Sequence, residues 1–484
     1  MSVISKILNK MLVGRDFESQ QLAQLERSSK AEFVVVYGRR RIGKTYLIRQ
    51  YYDDRLTLDF VGSDKESHQT QVANFNRVFA DQCSTKYKEA RNWSEAFDNL
   101  ARYLRTLPKS KKAVVFFDEF PWLDKAQSGF LGAFEFFWNQ HASKMKHLIF
   151  IACGSVASWI IKKLINNYGG LHNRVTLTLE IKPFSLYDTQ HFFAYKKLRY
   201  TQYQILQLYM ATGGVPYYLE RIPAAASVAQ AIDKMFFTSS ATLGGEFTTL
   251  FASLFKNPEP YLKIIDVLSK HHYGLQRSEI IKKSKLAAGG TFNRTIETLE
   301  ACGFVMKMPS IDKKNRDAVY RLIDMFCIFH SKFVNNNKSR KLGTWQSLAN
   351  SSAYKTWCGY AFENVCLLHV SQIQQCLGIG GIACTVGAWR VLKNKATDGA
   401  QIDIVIERKD GITHLCEAKF TSKAFITSNT IKREWSNKRA IFEFHTKTKN
   451  AVVTSFIGTY QPLHNTYFSD EVHSSILMDD LFVA

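Results

Sequence analysis

Eight consecutive residues, Gly38-Arg39-Arg40-Arg41-Ile42-Gly43-Lys44-Thr45, have the types and order needed to hold a chain of phosphates. The glycines let consecutive backbone N–H groups curl around phosphate oxygens. Lys44 brings a charge to the β and γ phosphates, and the Thr45 hydroxyl can ligate Mg²⁺. Further along, Asp118 and Glu119 form an adjacent carboxylate pair. Asp118 would hold Mg²⁺ through water or the Thr45 hydroxyl shell, and Glu119 would orient and deprotonate an attacking water. A second constellation lies near the carboxyl end: Glu363, Asp403, Glu417 and Lys419. Asp403 and Glu417 can bind Mg²⁺, with Glu363 completing the metal shell. The metal would polarise a scissile phosphate, and Lys419 would position or deprotonate the nucleophile.

These groups need strands and helices to present them. The apolar run Phe33 to Tyr37 before the glycine loop and the amphipathic Tyr46 to Tyr52 after it predict strand, loop and helix. Ala113 to Phe117 predicts a strand ending at Asp118-Glu119, and His147 to Cys153 a third that runs into Gly154-Ser155. In a parallel sheet, ligands sit at the carboxyl ends of the strands. Ser155 is therefore either a sensor of the γ-phosphate or a helix cap. Arg174, just ahead of the alternating stretch Val175 to Ile181, is either an arginine finger or sensor, or a surface arginine. In the second constellation, Gln401 to Ile406 and Thr413 to Lys419 alternate as two strands reversed by Lys409-Asp410-Gly411. That hairpin brings Asp403 near Glu417 and sets Lys419 on the same face as Glu417. Glu363 belongs to a helix that runs to about Val370.

The chain of 484 residues is too long for one ordinary core, and its apolar and aromatic content fits several globular domains. Lys and Arg outnumber Asp and Glu by 64 to 42, a net charge of +22, so a polyanion such as nucleic acid is the expected partner. A membrane partner is not expected, since no apolar run reaches the ~18 residues of a spanning helix and no signal-peptide pattern opens the chain. The nine cysteines are scattered singly, which indicates neither a disulfide framework nor a zinc site and fits a cytoplasmic setting.

Between Pro258 and Asp324, three short helices (Tyr261 to Lys270, Gln276 to Lys285, Thr291 to Cys302) precede strands Phe304 to Met308 and Ala318 to Leu322. This predicts a winged helix. Thr291, Asn293, Arg294 and Glu297 fall on the exposed face of its last helix, while Phe292, Ile296, Leu299 and Phe304 face the core. Lys282, Lys283, Lys285 and the wing residues Lys313, Lys314 and Arg316 either contact phosphates or form a solvated face. Downstream, Lys423, Lys432, Arg433, Lys438 and Arg439 with Trp435 read as a DNA-backbone groove, or as an amphipathic helix with Trp435 in the core.

Val13-Gly14-Arg15-Asp16-Phe17-Glu18, the phosphate loop, Phe116 to Leu123, Cys153-Gly154-Ser155 with Ser158-Trp159, and Gly213-Gly214-Val215-Pro216 together resemble the archaeal-type ATPase family of the STAND class, over roughly residues 11 to 235. The resemblance implies an AAA-like, ASCE-type P-loop core with a helical lid. It also implies that Gly14 and Arg15 pack near the adenine. Ser155 stands where many STAND proteins carry a sensor arginine. Glu363, Asp403 and Glu417-Ala418-Lys419 resemble the PD-(D/E)xK restriction-endonuclease-like superfamily, which implies metal-dependent phosphodiester cleavage. Ile402 stands where that superfamily carries its leading proline.

The expectation is thus an α/β protein with four parts: a P-loop ATPase core (1–180), a helical lid (181–250), a winged helix (251–334) and a nuclease-like domain (335–484). ATP and Mg²⁺ are its expected cofactors and double-stranded DNA its expected partner, with a homo-oligomer left open. The catalytic set is Glu119, Glu363, Asp403, Glu417 and Lys419. Nucleotide contacts fall to Gly14, Arg15, Gly38, Gly43, Lys44, Thr45, Asp118, Ser155 and Arg174. The alternatives are an ATP-dependent nucleic-acid-binding regulator whose nuclease-like fold is inactive, or a signalling scaffold.

Overall fold

Continuous apolar runs become strands buried on both faces, and that is what organises the amino-terminal part. In the computed structural model, which describes residues 12–83, 87–311, 318–337, 341–393 and 399–484, five strands are all parallel: β1 (Glu32–Tyr37), β2 (Leu56–Val61), β3 (Ala113–Asp118), β4 (Leu148–Gly154) and β5 (Leu177–Glu180). Their order is β2-β3-β4-β1-β5. Alternate residues serve opposite faces. Phe33, Val35, Val115, Phe117 and Phe150 join an aromatic core with Phe60, Phe75, Trp93, Phe97 and Phe134. Val34, Val36, Phe116 and Ile151 pack against Leu47, Ile48 and Tyr52 of the helix Lys44–Tyr52. This unit spans Met1–Lys182.

The second unit spans Pro183–Ala484. It opens with helices Leu186–Tyr195 and Gln202–Thr212. The three helices Glu259–Ser269, Arg277–Ser284 and Gly290–Ala301 follow, with a small antiparallel sheet of β6 (Leu275–Gln276), β7 (Val305–Met308) and β8 (Val319–Leu322), ordered β6-β8-β7. Phe292, Ile296, Leu299 and Phe304 are buried, while Thr291, Asn293, Arg294 and Glu297 are exposed, as the spacing predicts. Lys313, Lys314 and Arg316 lie outside the described residues.

Helix Ser352–Leu368 leads into a mixed sheet of β9 (Cys384–Val391), β10 (Ala400–Arg408), β11 (Ile412–Lys419), β12 (Ala451–Gly458) and β13 (Val472–Leu477), ordered β13-β12-β11-β10-β9. β9, β10 and β11 pair antiparallel, and β11, β12 and β13 pair parallel. The crossover from β11 to β12 contains helix Asn429–Thr446.

The expected lid, winged helix and C-terminal parts therefore sit in one unit. Buried polar bonds cross the expected boundaries: the Asp233 carboxylate accepts from the backbone of Trp345 (2.8 Å) and Gly343 (3.1 Å), and Leu186 N donates to His369 Nε2 (3.0 Å). Among the described residues no helix is long and apolar enough to cross a membrane.

Candidate functional site

The strand order explains the first site. β4 lies between β1 and β3, so Ser155 at its carboxyl end comes between the loop after β1 and the carboxylates after β3. Ser155 Oγ accepts from Lys44 Nζ (3.0 Å) and donates to Glu119 Oε1 (2.9 Å), while its N–H donates to Glu119 Oε2 (3.3 Å). Lys44 also donates to the carbonyls of Gly38 and Arg39, both at 2.9 Å. Its three ammonium protons are thus matched by three acceptors. The Thr45 hydroxyl donates to Asp118 Oδ2 at 2.6 Å. Gly38 has φ +147°, and a Cβ there would lie 2.3 Å from the Ile181 carbonyl oxygen, so only glycine fits.

Glu119 adopts left-handed backbone, φ +48°, which turns its carboxylate back toward β4. Burial raises its pKa. The Lys44 charge and the bonds from Ser155 pull the other way, and Asp118 adds to the rise. That suits a base whose proton affinity exceeds that of an exposed carboxylate. A hydroxyl beside a carboxylate, Thr45 with Asp118, is a donor set that fits Mg²⁺ sharing its shell with phosphate and water.

Arg15 is buried, and its guanidinium donates to the carbonyls of Ile42 (2.8 Å) and Lys182 (3.0 Å), which ties it to the phosphate loop. One expectation changes here. Arg174 is not a sensor for its own loop. β5 runs parallel to β1 with Val34 paired to Leu177, and Thr176 N donates to Phe33 O. Arg174 thus stands at the amino end of β1 and the loop at its carboxyl end, on the order of 15 Å apart at ~3.3 Å per residue.

In the second site, β10 and β11 pair Ile404 with Cys416, and the same register sets Asp403 opposite Glu417. Asp403 Oδ2 accepts from Ala418 N (3.1 Å). Glu417 receives Lys419 Nζ at 3.2 Å and Lys438 Nζ at 2.8 and 3.0 Å. Glu363 stays beside this cluster but is already paired: Arg321 Nη2, from β8, lies 2.9 Å from its Oε2, both side chains being buried. The next residue, Asn364, donates to the Leu322 carbonyl (3.1 Å). The expectation that Glu363 completes a metal shell is corrected on this ground, because a guanidinium already neutralises it. Among the described residues no three carboxylate, imidazole or thiol groups are placed to hold a metal together, which leaves Asp403 and Glu417. Two carboxylates plus waters and a phosphate are a common Mg²⁺ shell.

Burial, reinforced by the charges of Glu363 and Glu417, pushes the Asp403 carboxyl up to about 8, against the pull of Lys419 and Lys438. Burial tends to lower Lys419, but Glu417 and Asp403 outweigh it and hold the ammonium above its ordinary value. A carboxyl that burial and neighbouring carboxylates hold toward its protonated form can exchange that proton for a cation. A cleft of about 270 Å³ lined by Tyr273, Arg321, Arg390, Gln401 and Asp403 leads to it.

Asp403 also makes stability pH-dependent. Its folded value of about 8 lies above the ordinary 3.8, so the folded state binds the extra proton between these limits and stability falls as pH rises through that window. Half-buried His272 and the buried His330, His369 and His414, lowered to about 4 from 6.5, act below pH 6.5. Between about pH 6.5 and 8, Asp403→Asn should therefore lose less thermal stability than the native chain. Parallel melting curves across that range would show that Asp403 is not the titrating group.

Lys438 and Arg321 are site residues that sequence patterns did not single out as such. Of the basic residues after Lys419, Lys432 pairs with Asp470 (2.7 Å), Lys438 with Glu417 and Arg439 with Glu471 (2.8 Å), and Trp435 is in the core with Phe456 and Phe468. That helix therefore uses much of its charge internally.

The amino-terminal sheet and its loop define a P-loop ATPase-like domain on an α/β scaffold. Residues 12–222 match the family described as an ATPase domain predominantly from Archaea. An uncharacterized protein of Methanocaldococcus jannaschii, MJECL04, is 24% identical over 367 residues, covering 73% of this chain and 76% of that protein. Among solved structures, the Walker-type ATPase PABY2304 of Pyrococcus abyssi aligns with a TM-score of 0.48 at 16% identity, covering 66% of this chain and 96% of that one. The ORC2 protein of Aeropyrum pernix, in ADPNP and ADP complexes, aligns at 0.43 and 10% identity, covering 70% and 95%.

Proposed function

We propose that the protein is an ATP-binding, ATP-hydrolysing switch of the STAND type that controls a Mg²⁺-dependent, nuclease-like site acting on DNA in the cytoplasm. The observation that carries this reading is the opposed pair Asp403 and Glu417, with Lys419 Nζ 3.2 Å from Glu417, in a chain that also holds Lys44, Ser155 and Glu119 in one hydrogen-bonded row.

In the first site the loop N–H groups and Lys44 bind the phosphates, Thr45 and Asp118 would hold Mg²⁺, and Glu119 takes a proton from the attacking water. Bound Mg²⁺ supplies charge neutralisation at the phosphates and, in the second site, at the scissile phosphate. There Asp403 and Glu417 would hold it, and Lys419 orients the nucleophilic water. The cleft beside Asp403, about 270 Å³, cannot hold a DNA duplex, so in this reading the site opens before DNA enters. ATP state governs that opening in this reading.

The inactive-regulator alternative is favoured by one observation: Lys438 and Lys419 already occupy Glu417, and Arg321 occupies Glu363. Supercoiled DNA incubated with Mg²⁺ or Mn²⁺, with and without ATP, decides between them. Nicking that depends on ATP and disappears in both Asp403→Ala and Lys419→Ala is the expected result. Nicking that survives both substitutions, or none under any condition while DNA is still bound, leaves the regulator.

A further inference from the structure

Three loops of the amino-terminal unit enter the sheet from the same end, before β1, β4 and β3, and each carries lysines: Lys30, then Lys144 and Lys146, then Lys109, Lys111 and Lys112. They lie far apart in sequence. The strand order β3-β4-β1 makes them neighbours at the amino end of the sheet, opposite the phosphate loop. A groove of about 860 Å³ runs between them, lined by Arg105, Lys109, Lys111, Lys112, Lys144 and Lys146.

The groove is rigid underneath. Lys112 Nζ donates to the carbonyls of Lys30 (3.0 Å) and Lys146 (2.8 Å), so one ammonium ties the three loops together. Ala113 N donates to His147 O (2.7 Å), and the His147 ring bonds the Leu104 carbonyl (3.1 Å). The carboxylates near the cations are engaged elsewhere: buried Glu32 faces Lys112, which is already spent on tying the loops, and accepts the Ser28 hydroxyl. Glu26, on the lining, is paired with Arg55 at 2.6 Å, and Asp98 stands 3.9 Å from His141 Nε2. The remaining polar groups on the lining include the hydroxyls of Ser29 and Ser110.

Lysines interspersed with serine hydroxyls on a fixed floor match the contacts that proteins make to phosphate oxygens, which position nucleic acid without reading its sequence. We infer that this groove binds the phosphate backbone of DNA, as a site separate from both the nucleotide loop and the Asp403 cluster. It holds the DNA irrespective of sequence. This inference does not depend on nuclease activity.

The test uses the full chain in EDTA, so that cleavage plays no part, and a labelled duplex of about 30 base pairs titrated between about 50 and 200 mM NaCl. Lys109→Ala/Lys111→Ala/Lys146→Ala spares Lys112 and its loop-tying bonds. If each lysine displaces one counterion, the slope of log K against log salt should become shallower by about 2.7, and affinity near 100 mM salt should drop by more than about tenfold. Lys→Arg at the same three positions should restore both. Unchanged affinity and slope in the alanine variant, or no DNA binding by the native chain, overturns the inference. So does loss of binding to phosphatidylserine vesicles with DNA binding intact, which would assign the groove to a lipid surface. Retained nucleotide binding by the variant separates loss of the groove from loss of the fold.

Discussion

Arg321→Ala is expected to destabilise the second unit by about 3–5 kcal/mol, the usual consequence of stripping one partner from a buried ion pair. Arg321 is 1% exposed and Glu363 6%. Without the guanidinium, Glu363 is left either as an unpaired buried charge beside Asp403 and Glu417 or as a carboxyl forced to take up a proton, in a site where burial already raises its pKa. The pair itself contributes less than its loss costs. Arg321 Nε finds no acceptor, so the contact is end-on. Arg321→Met/Glu363→Leu, which leaves neither charge behind, should recover most of the loss. Hydrogen exchange at the amides of β8 and helix Ser352–Leu368 under rising urea reports this unit separately from the first. A loss below about 1 kcal/mol in the single variant would place the pair among surface salt bridges.

Glu119→Gln is expected to slow ATP hydrolysis by about 10²–10⁴-fold, the range for a general base, and to leave nucleotide affinity within a few-fold. The amide keeps a partner for Ser155 and lacks the basic oxygen. Lys44→Ala should behave differently, because Lys44 meets phosphates in the ground state as well as during reaction: both affinity and hydrolysis should fall. Phosphate release and titration with a fluorescent nucleotide analogue separate the two. Hydrolysis within tenfold of native in Glu119→Gln would remove Glu119 from the base role. Unchanged affinity in Lys44→Ala would remove the phosphate loop itself.

Local chemistry made much of both sites legible. A strand, two glycines and Lys44-Thr45 locate a phosphate loop from adjacent residues, and the tight turn at Lys409-Asp410-Gly411 fixes the register that opposes Asp403 and Glu417. Strand order was not written in any one segment. The bridge from Lys44 through Ser155 to Glu119 exists only because β4 separates β1 from β3, and the lysine groove for the same reason. Arg174 was open to correction from the sequence alone: a residue ahead of a strand in a parallel sheet stands at the end away from the ligand. Arg321 gave no signal. A single cation in Val319-Tyr320-Arg321-Leu322 reads as a solvent-facing strand position until its partner, 42 residues away, is known.

Helix Ser352–Leu368 is held to β8 by two successive residues, Glu363 to Arg321 and Asn364 to Leu322. Adjacent anchors on a stiff rod stop it both from sliding and from rolling. The helix is therefore keyed to the three-helix module like a shaft in a slot, and its carboxylate keeps a fixed phase relative to β8. Any force that displaces the module must carry the helix with it or shear the buried pair. A shift of the module would be felt first at Glu363, the helix residue whose charge bears on Asp403.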